Sequence, residues 1–139
     1  MRVLVDTNVY LEFFLKREKY EEAYSFFSLA IEKRHQTYIT SMTLRDIGYV
    51  IKRKTHSSKM AKLIQSKTYS MVSKVASVSN DAAIEALYSD IQDFEDAMQS
   101  YAAEEAMCDA IISFNKKDYL HSRIPVFTPE EINTIWKSL

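Results

Sequence analysis

The chain has 139 residues, 47% of them hydrophobic, with 18 Lys+Arg against 19 Asp+Glu. That length and apolar content suffice for one folded core, and a net charge of −1 gives no global pull toward nucleic acid or anionic membranes. One Gly and one Cys exclude Gly-rich phosphate loops, a disulfide framework and Cys-based zinc modules.

Arg2-Val3-Leu4-Val5 reads as a short buried strand that ends at Asp6. This brief apolar run is not an export signal, and no segment reaches the ~18 apolar residues of a membrane span. A cytoplasmic location and no membrane partner are the expectation. Val9 to Lys16 is apolar on most faces, as for a helix packed on a sheet. Tyr20 to Arg34 carries Tyr20, Ala23, Tyr24, Phe27 and Ile31 at helical spacing. Gln36 to Thr40 is a short β-prone run. Ser41 is placed to cap a helix striped by Leu44, Ile47 and Ile51. Ser57 to Tyr69 predicts a basic helix, and Val72 to Val78 a strand. Asn80 or Asp81 opens a helix ending near Tyr88. Asp93 to Met107 predicts a helix with Phe94, Met98, Tyr101 and Ala102 inward.

Ala110 to Ser113 is a second short apolar strand. Ile124 to Phe127 is extended, because Pro125 disfavours helix before it. Thr128-Pro129-Glu130-Glu131 is a capping box with Pro at the first helical position, followed by Ile132, Ile135 and Trp136 on one face. Strands alternating with helices predict an α/β fold: one domain over 1–139 with a central, mainly parallel sheet flanked by helices. In such sheets the site lies at the carboxyl ends of the strands.

The acids nearest those ends are all Asp. Asp6 follows the first strand, and Asp46 lies in the helix after the second. Asp93 and Asp96 open the helix before the Ala110 strand, and Asp118 follows that strand. Each also has a structural use. Asp6 or Thr7 suits a helix N-cap, Asp93 an N-cap with Asp96 in the first turn, Asp118 a turn and Asp46 a solvated edge. If they converge, two like charges ~4 Å apart repel by about 4 kcal/mol at an effective dielectric near 20. Such a cluster needs a cation or protons, and an all-carboxylate set selects hard ions, Mg²⁺ or Mn²⁺.

Charge is segregated along the chain. Residues 47–80 hold seven Lys/Arg and no acid, and residues 81–109 hold nine acids and no base. Two solvated helix faces account for this, as does a basic rim from Lys52 to Lys74 holding a polyanion near an acidic centre. Thr7, Asn8, Ser113 and Asn115 suit either turns or the orientation of ligands and phosphate. Most of the nine Tyr and seven Phe fall at core spacing, and Tyr119 is the one aromatic considered for base stacking. His35, His56 and His121 lie outside these stretches and are expected at the surface.

Five stretches together resemble the PIN-domain family, which includes VapC-type toxin ribonucleases. They are Val3–Val9, Ile39–Ile47, Asp93–Ala97, Ile111–Tyr119 and Ile124–Glu131. The resemblance implies a PIN-like three-layer domain and a metal-dependent, acid-lined site that cuts single-stranded RNA. It places the family's acids on Asp6, Asp46, Asp96 and Asp118 as Mg²⁺ or Mn²⁺ ligands, with Asp93 an alternative in the third motif. Asp46 stands where the family usually has Glu. Ser113-Phe114-Asn115 stands for the more usual Thr-Arg-Asn, leaving Lys116 or Lys117 to replace the lost Arg at phosphate. A toxin of this kind would pair with an antitoxin. The apolar face around Val9, Leu11, Phe13, Phe14, Tyr24 and Phe27 suits core packing first, with part available to an antitoxin or a second copy. A non-catalytic RNA- or protein-binding module is the alternative. An aspartyl-phosphate transferase fits less well, since Asn8 occupies the place of the second Asp that one common version needs.

Overall fold

A computed structural model describes residues 1–139. The strands are β1 (Arg2–Val5), β2 (Gln36–Thr40), β3 (Lys74–Ala76), β4 (Ala110–Ile112) and β5 (Val126–Phe127). The helices are α1 (Thr7–Phe14), α2 (Tyr20–Glu32), α3 (Ser41–Thr55), α4 (Ser58–Met71), α5 (Asn80–Leu87), α6 (Phe94–Glu105) and α7 (Pro129–Lys137). A 3₁₀ turn covers Lys116–Tyr119. The sheet order is β3-β2-β1-β4-β5, and every pair is parallel. This is the expected PIN-like three-layer architecture.

Alternation along β1 builds the layers. Val3 and Val5 point into the larger core with Val9, Phe26, Ile47, Ile112 and Trp136. Leu4 points to the other face with Tyr38, Ala103, Ile111 and Tyr119. Val3, Leu4 and Val5 are fully buried, as expected of a central parallel strand covered on both sides. The capping box at Thr128 forms as read, with Thr128 Oγ1 accepting from the Glu131 amide and Glu131 Oε1 from the Thr128 amide. It launches α7 so that Trp136 stacks between Phe26 and His35.

Several local expectations shift. Thr40 rather than Ser41 is the N-cap of α3, and Ser79 rather than Asn80 or Asp81 caps α5 through the Ala82 amide. The strand expected over 72–78 shrinks to three residues, those that pair with β2. Tyr24 and Ile31 are exposed, while Phe26, Leu29 and Ala30 are buried. Packing of α2 on α7 through Phe26 and Trp136 sets that rotation. Phe94 and Ile135 are exposed too, as are Tyr49, Tyr69 and Tyr88. The inward face of α6 is Ala97, Gln99, Ser100, Ala102 and Ala103, small enough to let the helix approach the sheet.

Chain direction across the sheet reverses between β1 and β4. From β1 the chain proceeds to β2 on one side, whereas β4 leads to β5 on the other. A crevice therefore opens at the carboxyl ends of β1 and β4.

Candidate active site

Asp6 leaves the end of β1 at that crevice. Its backbone N–H donates to the Ile112 carbonyl at 2.9 Å, which pins it beside β4. Its carboxylate is the N-cap of α1: Oδ1 accepts from the Thr7 amide at 2.8 Å. Oδ2 accepts from Ser113 Oγ at 2.9 Å and from Asn8 Nδ2 at 3.2 Å. Asn8 also donates to Ser113 Oγ, and its Oδ1 accepts from the Phe114 amide. Ser113 Oγ further accepts from the Asn115 amide. Asp6, Asn8 and Ser113 thus lock the two strand ends together. Thr7 hydrogen-bonds Thr43 in the first turn of α3, so its side chain faces α3.

Burial drives the Asp6 carboxyl upward from its ordinary 3.8. The Ser113, Thr7 and Tyr119 donors pull it back, and the nearby Asp118 charge pushes it up again. Asp96, in the first turn of α6, is pushed up to about 7. Burial is the largest cause, followed by the charges of Asp6, Asp93, Asp118 and Glu95. Asp6, Asp96 and Asp118 are therefore gathered closely enough that the charge of Asp118 opposes ionisation of Asp6, and the charges of both oppose ionisation of Asp96. Asp93 is the N-cap of α6, accepting from the Asp96 amide at 3.0 Å. It is structural, yet it also lines the cavity.

That cavity, about 340 Å³, is bounded by Asp90, Ile91, Gln92, Asp93, Asp96, Lys117, Asp118, Leu120 and His121. His121 is exposed, as expected, but it stands in this wall beside the acids. Lys116 turns away to pair with Glu131 at 3.1 Å on α7. Lys117 is the lysine that faces the acids. The two are adjacent in a turn whose residues point in different directions, a distinction invisible in sequence.

Asp46 is drawn aside. Arg45 bridges Asp46 at 3.2 Å and Glu95 at 2.9 Å. Glu95 is raised, first by its hydrogen bond with Asp46 and then by burial. The shorter Asp46 side chain ends in this group at the rim, and it is Glu95, next to Asp96 in sequence, rather than Asp46, whose charge bears on Asp96. Tyr119 is only 2% exposed and packs among Leu4, Tyr38 and Ile111. It cannot stack on a base, contrary to expectation.

Sequence reasoning missed a buried polar chain beneath the site. Gln99 accepts from Thr40 and donates to Thr43, which accepts from Thr7. This ties β2, α3, α6 and α1 together, one helical turn below Asp96. A Gln inside an otherwise Ala-rich helical face was the available signal.

No three acidic, His or Cys side chains stand as a ready ligand shell. The donor chemistry nevertheless suits a hydrated hard cation. Mg²⁺ takes only one or two direct carboxylates and keeps several waters, and Asp96 has no hydrogen-bond donor offsetting the repulsion that raises it. The seven basic residues from Lys52 to Lys74 make none of the ion pairs, which involve only Arg45, Lys116 and Arg123 as cations.

The PIN domain family model matches residues 2–117. The fold is similar to VapBC2 from Rickettsia felis bound to a DNA fragment from its promoter, with a TM-score of 0.69 at 14% identity, covering 92% of this chain and 98% of that one. DNA-bound VapBC from Salmonella typhimurium gives 0.66 at 16%, covering 93% and 98%. A toxin-antitoxin complex from Klebsiella pneumoniae gives 0.65 at 24%, covering 91% and 97%. No match was found among curated proteins. With acids gathered at the switch point of this sheet and a family match over most of its length, the chain belongs to the PIN-domain family.

Proposed function

We propose that this chain is a metal-dependent endoribonuclease that hydrolyses phosphodiester bonds in single-stranded RNA, acting as the toxin of a toxin-antitoxin pair. The observation that carries the reading is the gathering of Asp6, Asp96 and Asp118 at the carboxyl ends of β1 and β4, in a chain of this family. Those three would hold Mg²⁺ or Mn²⁺, with Asp93 and Asp46 at the periphery. The ion would supply an activated water and charge neutralisation at the phosphoryl oxygens. Ser113, Asn8 and the Thr7 amide fix the Asp6 carboxylate in one orientation. Lys117, facing the acids, supplies the positive charge that an incoming phosphate needs. Asn115, whose amide is held by Ser113, keeps that turn in place.

The solved relatives that carry antitoxins support a protein partner. An open cavity of about 420 Å³, lined by Phe13, Phe14, Tyr20 and Met71 with Lys16 and Lys67 at its edge, offers apolar surface to an antitoxin or a second copy. The decisive test is cleavage of an unstructured RNA with Mn²⁺ and with EDTA, using Asp6→Asn and Asp96→Asn as controls. Cleavage that needs Mn²⁺ and both carboxylates supports the reading. Full metal-dependent activity in either variant refutes the assignment.

A binding module without cleavage is the second reading, favoured by one observation: Arg45 and Glu95 occupy Asp46. RNA binding with no cleavage in single-turnover reactions would select it.

A further inference from the structure

One face of α3 leads away from the candidate site. The helix begins at the carboxyl end of β2 and buries Thr43, Ile47, Gly48 and Ile51. Its opposite face, at spacings of three and four residues, carries Arg45, Tyr49, Lys52 and Arg53, all exposed. Arg45 fixes the near end of this stripe to the rim of the site, through its bridges to Asp46 and to Glu95, the residue before Asp96. Tyr49 follows one turn on, 64% exposed, and its ring belongs to no core cluster. Arg53 donates to the Tyr49 hydroxyl at 3.2 Å, which ties the outer end of the ring to the next turn. Lys52 and Arg53 make no ion pair. The helix dipole accounts for cations in the last turn of α3. It does not account for an unpacked aromatic between two arginines, nor for Lys59 in the first turn of α4, where a cation opposes the dipole. An exposed ring interleaved with unpaired cations is what a single-stranded nucleic-acid platform uses, the ring stacking on bases and the cations following phosphates.

We propose that this face of α3 is a track for single-stranded RNA leading from the acidic crevice, with Tyr49 stacking on a base and Lys52 and Arg53 meeting backbone phosphates. The inference rests on the RNA-cleaving reading of the site for the identity of the polyanion, and the track itself needs no metal. From Arg45 to Arg53 the helix advances about 12 Å at ~1.5 Å per residue, room for roughly three to four nucleotides stacked at ~3.4 Å. The two kinds of contact leave different marks. Phosphate contacts of Lys52 and Arg53 release counterions, so they show in the salt dependence of binding. Stacking on Tyr49 involves no net charge, so it shows in affinity at an unchanged salt slope.

The experiment is fluorescence anisotropy of a labelled, unstructured RNA oligonucleotide in EDTA over a salt series. The proteins are the parent, Tyr49→Ala, Tyr49→Phe, the double variant Lys52→Gln/Arg53→Gln and, as control, Lys137→Gln on α7, the helix after the edge strand β5. Tyr49→Ala should bind about 5-fold or more weakly, the worth of one stacked base, at an unchanged salt slope. Tyr49→Phe should bind as the parent does. The double variant should lower the slope by about 1.4, two phosphate contacts on a single strand, and Lys137→Gln should change neither quantity. Parent affinity in Tyr49→Ala, an equal loss in Tyr49→Phe, or a slope in the double variant no lower than in Lys137→Gln overturns the track, as does a parent that binds no RNA. Mn²⁺-dependent cleavage by the parent beside such a result leaves the nuclease reading standing. The expected pattern in a parent that cuts no RNA supports the track and removes the cleavage reading instead.

Discussion

Asp96→Asn gives the sharpest test of the electrostatics. In the metal-free protein, burial and the neighbouring carboxylates raise Asp96 from 3.8 to about 7. The folded protein therefore holds a proton there that the unfolded chain releases near 4. Stability from this group is fully present below pH ~4 and is lost as pH rises through about 7. The full span corresponds to about 4 kcal/mol at ~1.4 kcal/mol per pH unit, and solvent on the open side of Asp96 reduces this to about 2 kcal/mol. Asparagine is neutral at every pH and avoids that loss. In EDTA, Asp96→Asn should match the parent near pH 4.5 and exceed it by about 2 kcal/mol at pH 8, roughly 7 °C in melting temperature for a chain of this size. Mn²⁺ should reverse the order, since an ion at 100 times its Kd adds about 2.7 kcal/mol to whichever protein binds it. Differential scanning calorimetry across pH 4.5–8, with EDTA and with Mn²⁺, measures both effects. An unchanged pH slope in the variant, or a variant less stable than the parent at pH 8 in EDTA, would show that Asp96 is not held against its neighbours as described.

Other substitutions probe separate parts of the molecule. Asp6→Asn should abolish Mn²⁺-dependent cleavage by more than ~100-fold, exceeding the 10–100-fold typical of outer-shell partners. Ser113→Ala removes a donor that lowers Asp6, so Mn²⁺ affinity near pH 7 should fall about tenfold, while Ser70→Ala should leave calorimetric titrations unaltered. Lys117→Gln should reduce the salt slope of RNA binding by about 0.7, one phosphate contact on a single strand, whereas Lys116→Gln, already paired with Glu131, should not. Filter binding from 50 to 200 mM salt separates these, and equal slopes would contradict the facing assigned to the two lysines. At Gly48, an added Cβ would collide with the Gln65 amide. Gly48→Ala makes that flexible end withdraw from the Leu44 carbonyl it bonds at 2.8 Å, a loss of about 1 kcal/mol offset by about 1 kcal/mol of helix propensity. Urea denaturation should show less than ~1 kcal/mol of change for Ala and a loss of ~1–3 kcal/mol for Leu, from overpacking.

Local patterns carried the fold because they depend on short-range chemistry. Val3-Leu4-Val5, the Thr128–Glu131 box and the apolar run at Ala110 specify their elements wherever the rest of the chain goes. Helix rotation was harder to read: in α2, Tyr24 and Phe26 are both apolar enough to be buried, and only the position of Trp136 on α7 makes Phe26 the inward residue.

The sequence by itself determined that the first strand runs into Asp6, that the last helix begins at the Thr128 capping box, and that hard-cation chemistry suits the acids present. Tertiary structure alone decided which of those acids share a field. Asp6, Asp96 and Asp118 come together because β1 and β4, more than a hundred residues apart, are hydrogen-bonded neighbours. Asp46 does not join them, because Arg45 and Glu95 hold it aside. The same reason separates Lys116 from Lys117 and buries Tyr119. Charge repulsion, burial and hydrogen-bond saturation depend on distances of a few ångströms, which spacing along the chain does not encode.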